Sequence, residues 1–296
     1  MKSISAIPAL FCAGLATAAA AQDGFYTNGY AELGYYSQGS NDNTLGYANA
    51  TIGYTDAASG FGAEFGLDAA ITDTDRYSAL YGALTYQSSF GKLSFGAPRA
   101  AIDAYLAYVP TLGGNTLYDI GPIGRIKHSN MTDNYLFSDN KTPIGLRYDG
   151  TFGNTNVGAS YHRYADTDIY NLAANMQFGQ TTVTGAVEHL KSNTQSESRY
   201  FLGVETKFGQ VTAGLLYGQN AFIGSGNAVE VYAKYKPMDQ LELSATALNI
   251  GSGSDTAYGL AADYTFSQGL YLKAGVADSF SSSSDAAVNV AVGLRF

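Results

Sequence analysis

Apolar residues alternate with polar or small ones over much of this chain, most clearly at its C-terminal end. In AAVNVAVGLRF, residues 286–296, every second residue from Ala286 to Phe296 is apolar, whereas Asn289, Gly293 and Arg295 lie between them. Successive side chains of a β-strand point to opposite faces of its sheet, so a period of two predicts a strand with one apolar face. The same period recurs in three upstream stretches, 227–236, 256–266 and 270–278.

The alternation predicts sixteen strands, most of them nine to twelve residues long. A tilted strand of about 9–11 residues is long enough to cross the hydrocarbon core of a bilayer. The predicted strands are 25–36, 45–56, 61–70, 76–87, 91–98, 141–149, 155–165, 168–178, 181–191, 199–208, 210–218, 227–236, 240–250, 256–266, 270–278 and 286–296.

The connections between these strands alternate in character. One set is tight, as in AASG at 57 and the repeated FGQ at 178 and 208, and the other set is longer and polar, as in SQGSNDNT, SNTQSES and DSFSSSSD. Short turns on one rim and longer loops on the other are typical of outer-membrane barrels. An even number of strands places both ends of the sheet on the short-turn rim.

The two faces of the predicted strands favour a closed barrel over a soluble β-sandwich. One face carries mainly Ala, Val, Leu and Tyr, and the other mixes Gly, Thr, Asn, Tyr and charged residues, which cannot pack as a dry sandwich core. A sheet in lipid must also close on itself, because an open edge would leave N–H and C=O groups unpaired. Phe61, Phe178 and Phe208 beside tight turns and Tyr35 and Tyr217 near the opposite strand ends predict aromatic girdles.

The composition agrees with this interpretation. Only 14% of the residues are charged, against about a quarter in a soluble domain. Residues 1–21 have the layout of a signal peptide, with Lys2, an apolar run and a small-residue site at its end, which leaves 22–296 as the predicted barrel domain. Cys12 is the only cysteine, so the mature chain has no disulfide and no thiol site. With 16 basic and 25 acidic residues, the chain is too acidic to favour nucleic acid.

One segment, residues 99–140, does not follow the strand pattern. It is about 40 residues long and rich in Ile, Leu, Tyr, Val and Phe, a density of apolar residues that predicts burial. AIDAYLAYV at 101–109 predicts two turns of amphipathic helix. We therefore expect this loop to fold into the barrel and narrow its lumen.

These features resemble a general porin of Gram-negative bacteria, similar to the Rhodobacter-type porins of alphaproteobacteria. The resemblance is carried by the signal peptide, the sixteen strands, the long third external loop after GKLSFGAPR and the terminal VAVGLRF. It implies an all-β fold, a closed antiparallel transmembrane β-barrel of 16 strands with the third loop folded into the lumen. It also implies a homotrimer in the bacterial outer membrane, reached through the periplasm, that contacts membrane lipid and lipopolysaccharide.

The resemblance further implies passive diffusion of ions and small hydrophilic solutes, with no cofactor. Phe296 resembles the terminal residue that the outer-membrane assembly machinery recognises. By position, the family's constriction maps onto loop acids Asp103 and Asp119, bases Arg99, Arg125 and Lys127 in or beside the loop, and wall bases Arg76 and Arg147.

The alternation itself assigns many charged residues to a water-filled inner face, where we expect them to keep much of their hydration. Acids outnumber bases there, which predicts a weak preference for cations. The assigned residues are Glu32, Glu64, Asp68, Glu188, Glu205, Glu230, Glu242 and Asp263, with Lys92, Arg147, Lys207, Lys234, Lys273 and Arg295.

Two phrases, TDTDRY at 72–77 and ADTDIY at 165–170, place carboxylates at alternate positions. Asp73, Asp75, Asp166 and Asp168 are therefore weak candidates for calcium ligands, although two carboxylates per loop fall short of a full coordination shell. Asp-Thr-Asp is also ordinary turn chemistry, so no metal site is expected.

Two other functions are alternatives to passive diffusion. A barrel enzyme of the protease or lipase type needs a nucleophile and a base in reach of each other, but the chain has no G-x-S-x-G or H-E-x-x-H motif, and His162 is expected to be a solvated rim residue. A substrate-specific channel would need an aromatic track, for which the inward Tyr30, Tyr47, Tyr232 and Tyr271 are too scattered. The sequence therefore predicts a channel and not an enzyme.

Overall fold

The computed structural model describes residues 24–120, 123, 126–137, 141–222, 226–251, 256–278 and 285–296. The predicted signal peptide lies outside the described residues and stays a prediction. The sixteen strands are β1 Phe25–Gln38, β2 Asn41–Thr55, β3 Phe61–Thr72, β4 Arg76–Ser88, β5 Gly91–Ala97, β6 Ile144–Phe152, β7 Thr155–Tyr164, β8 Thr167–Phe178, β9 Thr181–Lys191, β10 Ser196–Phe208, β11 Val211–Phe222, β12 Gly226–Met238, β13 Leu241–Ile250, β14 Thr256–Thr265, β15 Leu270–Ala277 and β16 Ala287–Arg295.

The strands form one closed antiparallel barrel in which each pairs with its neighbours in sequence. The barrel closes where β1 pairs with β16, with Tyr30 opposite Arg295 and Gln38 opposite Ala287. Closure gives every strand two partners, so no sheet edge is left open. The predicted fold class, with its sixteen strands, is confirmed.

Most strand boundaries differ from the prediction by a few residues, and two of the differences have clear local reasons. β6 begins at Ile144 instead of residue 141, because Pro143 has no N–H to donate to the sheet. The first connection is not the long polar loop that was predicted. Gln38 pairs with Asn41, so only Gly39 and Ser40 form the turn, and Gly39 takes the positive φ of 60° that a tight hairpin turn requires.

Three short helices lie in the described part of the chain between β5 and β6. They are α1 Ala101–Leu106, α2 Thr116–Ile120 and α3 Asn130–Phe137, and a 3-10 turn at Leu112–Gly114 precedes α2. α1 is shorter than the predicted helix at 101–109, since the chain leaves the helix before Pro110. Among the described residues, no helix is long and apolar enough to span a membrane.

Exposure alternates along the strands as the sequence pattern predicts. On β10, Leu202 is 53% exposed, whereas its neighbours Phe201 and Gly203 turn inward and are buried. Large apolar side chains cover the outer surface around the whole barrel, and Phe61, Phe178 and Phe208 are exposed beside the tight turns. An outer surface of this kind is stable only against lipid.

A charge at the middle of the outer surface should therefore destabilise the protein. We expect Leu202→Lys, at the centre of β10, to lower the free energy of unfolding from lipid vesicles by about 2–4 kcal/mol. Met238→Lys, on an exposed side chain at the turn end of β12, is the control and should cost about 0–1 kcal/mol. Equal costs at the two positions in urea titrations would contradict a lipid-facing surface.

Candidate channel constriction

The segment between β5 and β6 packs its apolar residues on the inner face of the barrel. Ile102 and Leu106 of α1 are fully buried in a cluster with Ala173, Ala186 and Phe201, which point inward from β8, β9 and β10. Ile102 and Leu106 each remove apolar surface from water, and complete burial of such a side chain stabilises the fold by about 1.5–3 kcal/mol. The segment thus has a hydrophobic core of its own inside the barrel.

The 3-10 turn approaches the opposite wall very closely. A Cβ atom at Gly275 would lie 1.9 Å from the carbonyl oxygen of Gly113, and one at Gly259 would lie 2.2 Å from the backbone nitrogen of Gly113. Both wall positions must therefore be glycine for the turn to seat against β14 and β15. Gly113 itself has a φ of 58°, which favours glycine.

α3 packs on a third part of the wall. Met131, Tyr135 and Leu136 are buried together with Tyr81 of β4 and Ile169 of β8. The Tyr135 hydroxyl donates to the carbonyl oxygen of Leu80 at 2.6 Å, and its ring meets the Tyr81 ring edge-on at 5.5 Å between centroids. α1, the 3-10 turn and α3 together cover the inner face of much of the barrel.

A cavity of about 530 Å³ remains between the segment and the wall of β1, β2, β3 and β6. Four acids and four bases line it, with His128 beside them, so neither sign of charge dominates. The charged lining residues are Asp68, Asp103, Asp119, Asp133, Arg99, Lys127, Arg147 and Arg295.

Arg99 is fixed at this cavity by several contacts. It forms an ion pair with Asp68 at 2.5 Å, donates to the carbonyl oxygens of Ala50 and Leu67 at 3.2 Å each, and lies over the Tyr81 ring at 4.3 Å from its centroid. A guanidinium held on this many partners ties the start of the segment to the wall.

Three bases on the wall also hold the segment, through its backbone or hydroxyl oxygens. Arg147 donates to the carbonyl oxygens of Arg99 and Ala100, both at 3.3 Å. Lys234 donates to the carbonyl oxygen of Tyr108 at 3.2 Å. Lys273 donates to the hydroxyl of Thr116 at 2.7 Å.

Each of these three bases also forms an ion pair with an acid of the wall. Arg147 pairs with Asp149 at 2.7 Å, Lys234 pairs with Glu205 at 2.7 Å, and Lys273 pairs with Glu32 at 2.7 Å. The charge of each base is therefore largely neutralised where it meets the segment. These three bases hold the segment in place and contribute little net electric field to the cavity.

The two predicted loop acids take different roles. Asp103 accepts hydrogen bonds from the Ser129 backbone nitrogen at 2.6 Å and from the Thr132 hydroxyl, so it ties α1 to the start of α3. Burial raises the pKa of Asp103, and the neighbouring His128 and the two hydrogen bonds offset only part of this effect.

Asp119 forms an ion pair with Lys127 at 2.6 Å. Burial alone would raise the pKa of Asp119, but the charges of Lys127, His128 and Lys273 and the Lys127 hydrogen bond outweigh it and lower the pKa to about 2. Lys127 also donates to the carbonyl oxygen of Val109 at 3.1 Å. The pair closes the segment on itself beside the cavity.

Several expectations from the sequence need correction or lie outside the described residues. The prediction for Arg76 is wrong, because it shares the outward face of β4 with Leu80 and Leu84 and lies exposed beside the outer surface. Four predicted inner-face acids do point inward but are nearly or fully buried, so they do not keep their hydration. They are Glu32, Asp68, Glu188 and Glu230, with exposures of 4%, 3%, 0% and 3%, and the last two lie beneath the segment. Arg125 lies outside the described residues.

His162 was expected to be a solvated rim residue, and this is also wrong. The side chain is fully buried, and its Nε2 lies 2.9 Å from the carbonyl oxygen of Pro98, where the segment leaves β5. The sequence predicted correctly that the His162 side chain points inward, but the segment covers this part of the wall and excludes water from it.

Two further pairs of predicted inner-face charges form ion pairs along the wall. Glu64 pairs with Lys92 at 2.8 Å, and Asp263 pairs with Arg295.

Among the calcium candidates, Asp73 accepts from the backbone nitrogen of Thr44 at 2.9 Å, and Asp168 pairs with Arg163 at 3.0 Å. Asp75 accepts from the Thr74 hydroxyl at 2.7 Å. Asp166 lies at the adjacent β7–β8 turn, and within the described ranges no group of three or more His, Cys, Asp or Glu could hold a metal ion.

Arg199 contacts both the wall and the segment, and the sequence reasoning missed it. It points inward from β10 and forms a buried ion pair with Glu188 at 2.6 Å. Its alternation with Phe201 and Glu205 could have shown its inward direction, but it stood at the predicted start of the strand, where faces are hard to assign. Its contact with the segment could not be read from any sequence pattern.

A closed barrel with an apolar outer surface, a charged cavity and an inserted segment defines a membrane channel. The sequence profile of the Gram-negative porin family matches residues 6–284. The chain therefore belongs to the Gram-negative porins.

Individual relatives agree with this assignment. A porin of Fuscovulum blasticum is 28% identical over 222 residues, which cover 70% of this chain and 67% of that protein. Two solved variants of the Rhodopseudomonas blastica porin share the fold with TM-scores of 0.72 and 0.67, at 20% and 19% identity, and each alignment covers 92% of this chain and 100% of the other. The family and the fold indicate an outer-membrane channel for passive diffusion rather than an enzyme.

The Asp119–Lys127 pair predicts a pH-dependent contribution to stability. Because folding lowers the Asp119 pKa from 3.8 to about 2, its contribution is complete above about pH 4 and is lost as the pH falls towards 2. We expect Asp119→Asn to lower the free energy of unfolding at neutral pH by on the order of 2 kcal/mol. The difference from the wild type should shrink as the pH falls through this range.

The measurement is urea unfolding in vesicles at a series of pH values. Asp239→Asn, in an exposed tight turn, is the matched control for the loss of one acidic charge. A difference between Asp119→Asn and the wild type that stays constant from pH 5 to about pH 2 would show that the ion pair does not contribute in this way.

Proposed function

We propose that this porin is a general diffusion channel with a weak preference for cations. The observation that carries the proposal is the pairing of charges at the cavity, since four acids and four bases line it and no ring of one sign is present among the described lining residues. Solutes then meet a polar passage without a strong field. The chain as a whole has a formal charge of −9, and this excess of acids favours the entry of cations.

We propose residues 99–140 as the constriction loop, entering the barrel as the third external connection. The burial of Ile102, Leu106 and Met131 against the inner wall supports this role. The passage that remains is bounded by Asp103, Asp119 and Lys127 on the loop and by the wall of β1, β2, β3 and β6. Within this proposal, Arg99 and Arg147 are the basic residues of the constriction.

A general channel is favoured over a substrate-specific one by the positions of the inward tyrosines. Tyr30 and Tyr47 line the cavity as a pair with ring centroids 5.5 Å apart. Tyr232 and Tyr271 are buried and donate hydrogen bonds to Glu205 at 2.9 Å and to Glu32 at 2.8 Å. The four rings therefore do not form a continuous track along which a sugar could slide.

We further propose the route and the assembly that the family implies. Residues 1–21 direct the chain to the periplasm, the assembly machinery recognises Phe296, and the mature chain, 22–296, forms a homotrimer surrounded by lipid and lipopolysaccharide. The position of Phe296 supports its part in this, because its backbone N–H and C=O bond to Gly29 at 3.0 Å each, where the barrel closes.

Planar-bilayer recording tests the channel and its selectivity. We expect the refolded protein to give ohmic single-channel currents that added sugars, amino acids or phosphate do not block. In a potassium chloride gradient, the reversal potential should indicate a permeability for K⁺ modestly above that for Cl⁻. Saturable block by one solute would favour a specific channel, and a preference for Cl⁻ would refute the proposed selectivity.

One lining charge tests the electrostatic part of the proposal directly. Arg295 lines the cavity and is partly exposed, so Arg295→Gln should increase the preference for K⁺ without a large change in conductance. Arg163→Gln is the matched control, because Arg163 lies in an exposed ion pair at the rim of β7. An unchanged reversal potential in Arg295→Gln would show that this charge does not act on permeating ions.

A further inference from the structure

The Glu188–Arg199 ion pair meets the start of α3 at a buried place on the wall. Glu188 lies on β9 and Arg199 on β10, directly opposite each other in the sheet register. Arg199 donates to the Glu188 carboxylate through Nε at 3.0 Å and through Nη2 at 2.6 Å. The Glu188 side chain is fully buried, and that of Arg199 is nearly so.

The segment contacts both members of this pair. Arg199 Nη2 donates to the carbonyl oxygen of His128 at 2.7 Å. Glu188 accepts from the backbone nitrogen of Asn130 at 3.1 Å, from its side-chain amide at 2.8 Å and from the hydroxyl of Ser129. A carboxylate at the first backbone N–H of a helix also meets the positive end of the helix dipole.

Ser129 connects this contact to the helix itself. Its hydroxyl donates to Glu188 and accepts from the backbone nitrogen of Met131 at 3.1 Å, which is the bond of a helix N-cap. The first turn of α3 is thus held by a charge-assisted network in which Ser129, Glu188 and Arg199 are buried. Buried charge pairs of this kind specify one geometry, because any displacement leaves a charge unpaired.

α3 connects this buried contact to the channel, because it also lines the cavity. Its Thr132, Asp133 and Leu136 line the open cavity, while Met131 and Tyr135 face the wall on the other side. A shift of the first turn of α3 would therefore move one side of the cavity. Arg147, Lys234 and Lys273 hold earlier parts of the segment, at Arg99, Tyr108 and Thr116.

We propose that Glu188 and Arg199 are positioning residues that seat α3 and thereby set the width of the channel. The inference rests on the proposed function, because it assumes that the cavity beside α3 conducts. The pair is neutral as a whole and lies out of reach of permeating ions. It therefore acts on conductance through the position of α3, without acting on ion selectivity through its own charge.

The test compares single-channel conductance and reversal potential in variants of the full chain. We expect Arg199→Ala to raise the mean conductance by a factor on the order of two and to add conductance substates, because α3 loses its seat. Arg199→Lys keeps an ion pair and should restore most of the wild-type behaviour. Arg163→Ala, which removes an exposed ion pair at the rim, is the control.

Arg199→Ala leaves Glu188 buried without its partner and could prevent folding, so a second variant acts from the side of the segment. Ser129→Ala combined with Asn130→Ala removes two of the segment's donors to Glu188 and leaves the wall pair intact. It should raise conductance in the same direction as Arg199→Ala while its reversal potential stays at the wild-type value. Gel migration with and without heating checks that each barrel is folded.

The outcomes separate the two proposals. A wild-type protein that forms no channel sinks the proposed function. A wild-type channel with folded variants of unchanged conductance and noise overturns the seating of α3. A changed reversal potential at unchanged conductance also overturns it, since the pair would then act on ions by its charge.

Discussion

The structure depends on the need of every backbone N–H and C=O group in lipid to find a partner within the protein. The pairing of β1 with β16 meets this need by removing the last free edge of the sheet. Once the sheet is closed, each strand has one face towards lipid and one towards the interior. Apolar and polar residues therefore alternate along each strand with a period of two. Gln38 opposite Ala287 and Tyr30 opposite Arg295 fix the register at the closure.

Sixteen strands enclose more space than their inner side chains can fill, so the interior requires a second structure. The segment between β5 and β6 supplies it, with Ile102 and Leu106 buried on one part of the wall and Met131 and Tyr135 on another. The barrel therefore contains a packed core beside a water-filled passage. Its hydrophobic stabilisation comes from lipid contact outside and from this inserted segment within.

Charge pairing solves a related problem where the segment meets the wall. An unpaired charge buried between them would be costly, and each base that touches the segment is accordingly paired with an acid of the wall. Lys234 with Glu205 and Lys273 with Glu32 show the pattern, and Arg199 with Glu188 shows its most buried form. Bases that would otherwise create a field across the passage are used to hold the segment in position.

Glu230 is the exception on this wall. It is buried beneath the segment, and its Oε1 has no hydrogen-bond partner. The nearest lining residues of its small cavity include Asp119 and Lys127, whose own ion pair is complete. This oxygen therefore lacks the partner that the acids paired with Lys234, Lys273 and Arg199 have.

The sequence by itself determined the strands, their faces and the membrane setting. These properties are local, because alternation, turn residues and Pro143 act within a few positions of the chain. The inward direction of Glu188, Glu230 and His162 was likewise contained in the period of two. Even the burial of the segment was evident from its apolar residues.

Only the tertiary structure decided which part of the inner surface remains exposed to water. Whether Glu188 meets water or Ser129 depends on where a segment some 60 residues earlier in the chain packs, and no local pattern carries that information. The same applies to Arg199, whose partners His128 and Glu188 come from different parts of the chain, and to Gly259 and Gly275, which admit Gly113. Arg76 shows the converse, because its charge suggested a role in the passage, while the register of β4 turns it to the outside. Contacts between distant parts of the chain depend on packing and register together, and both exist only once the barrel has closed.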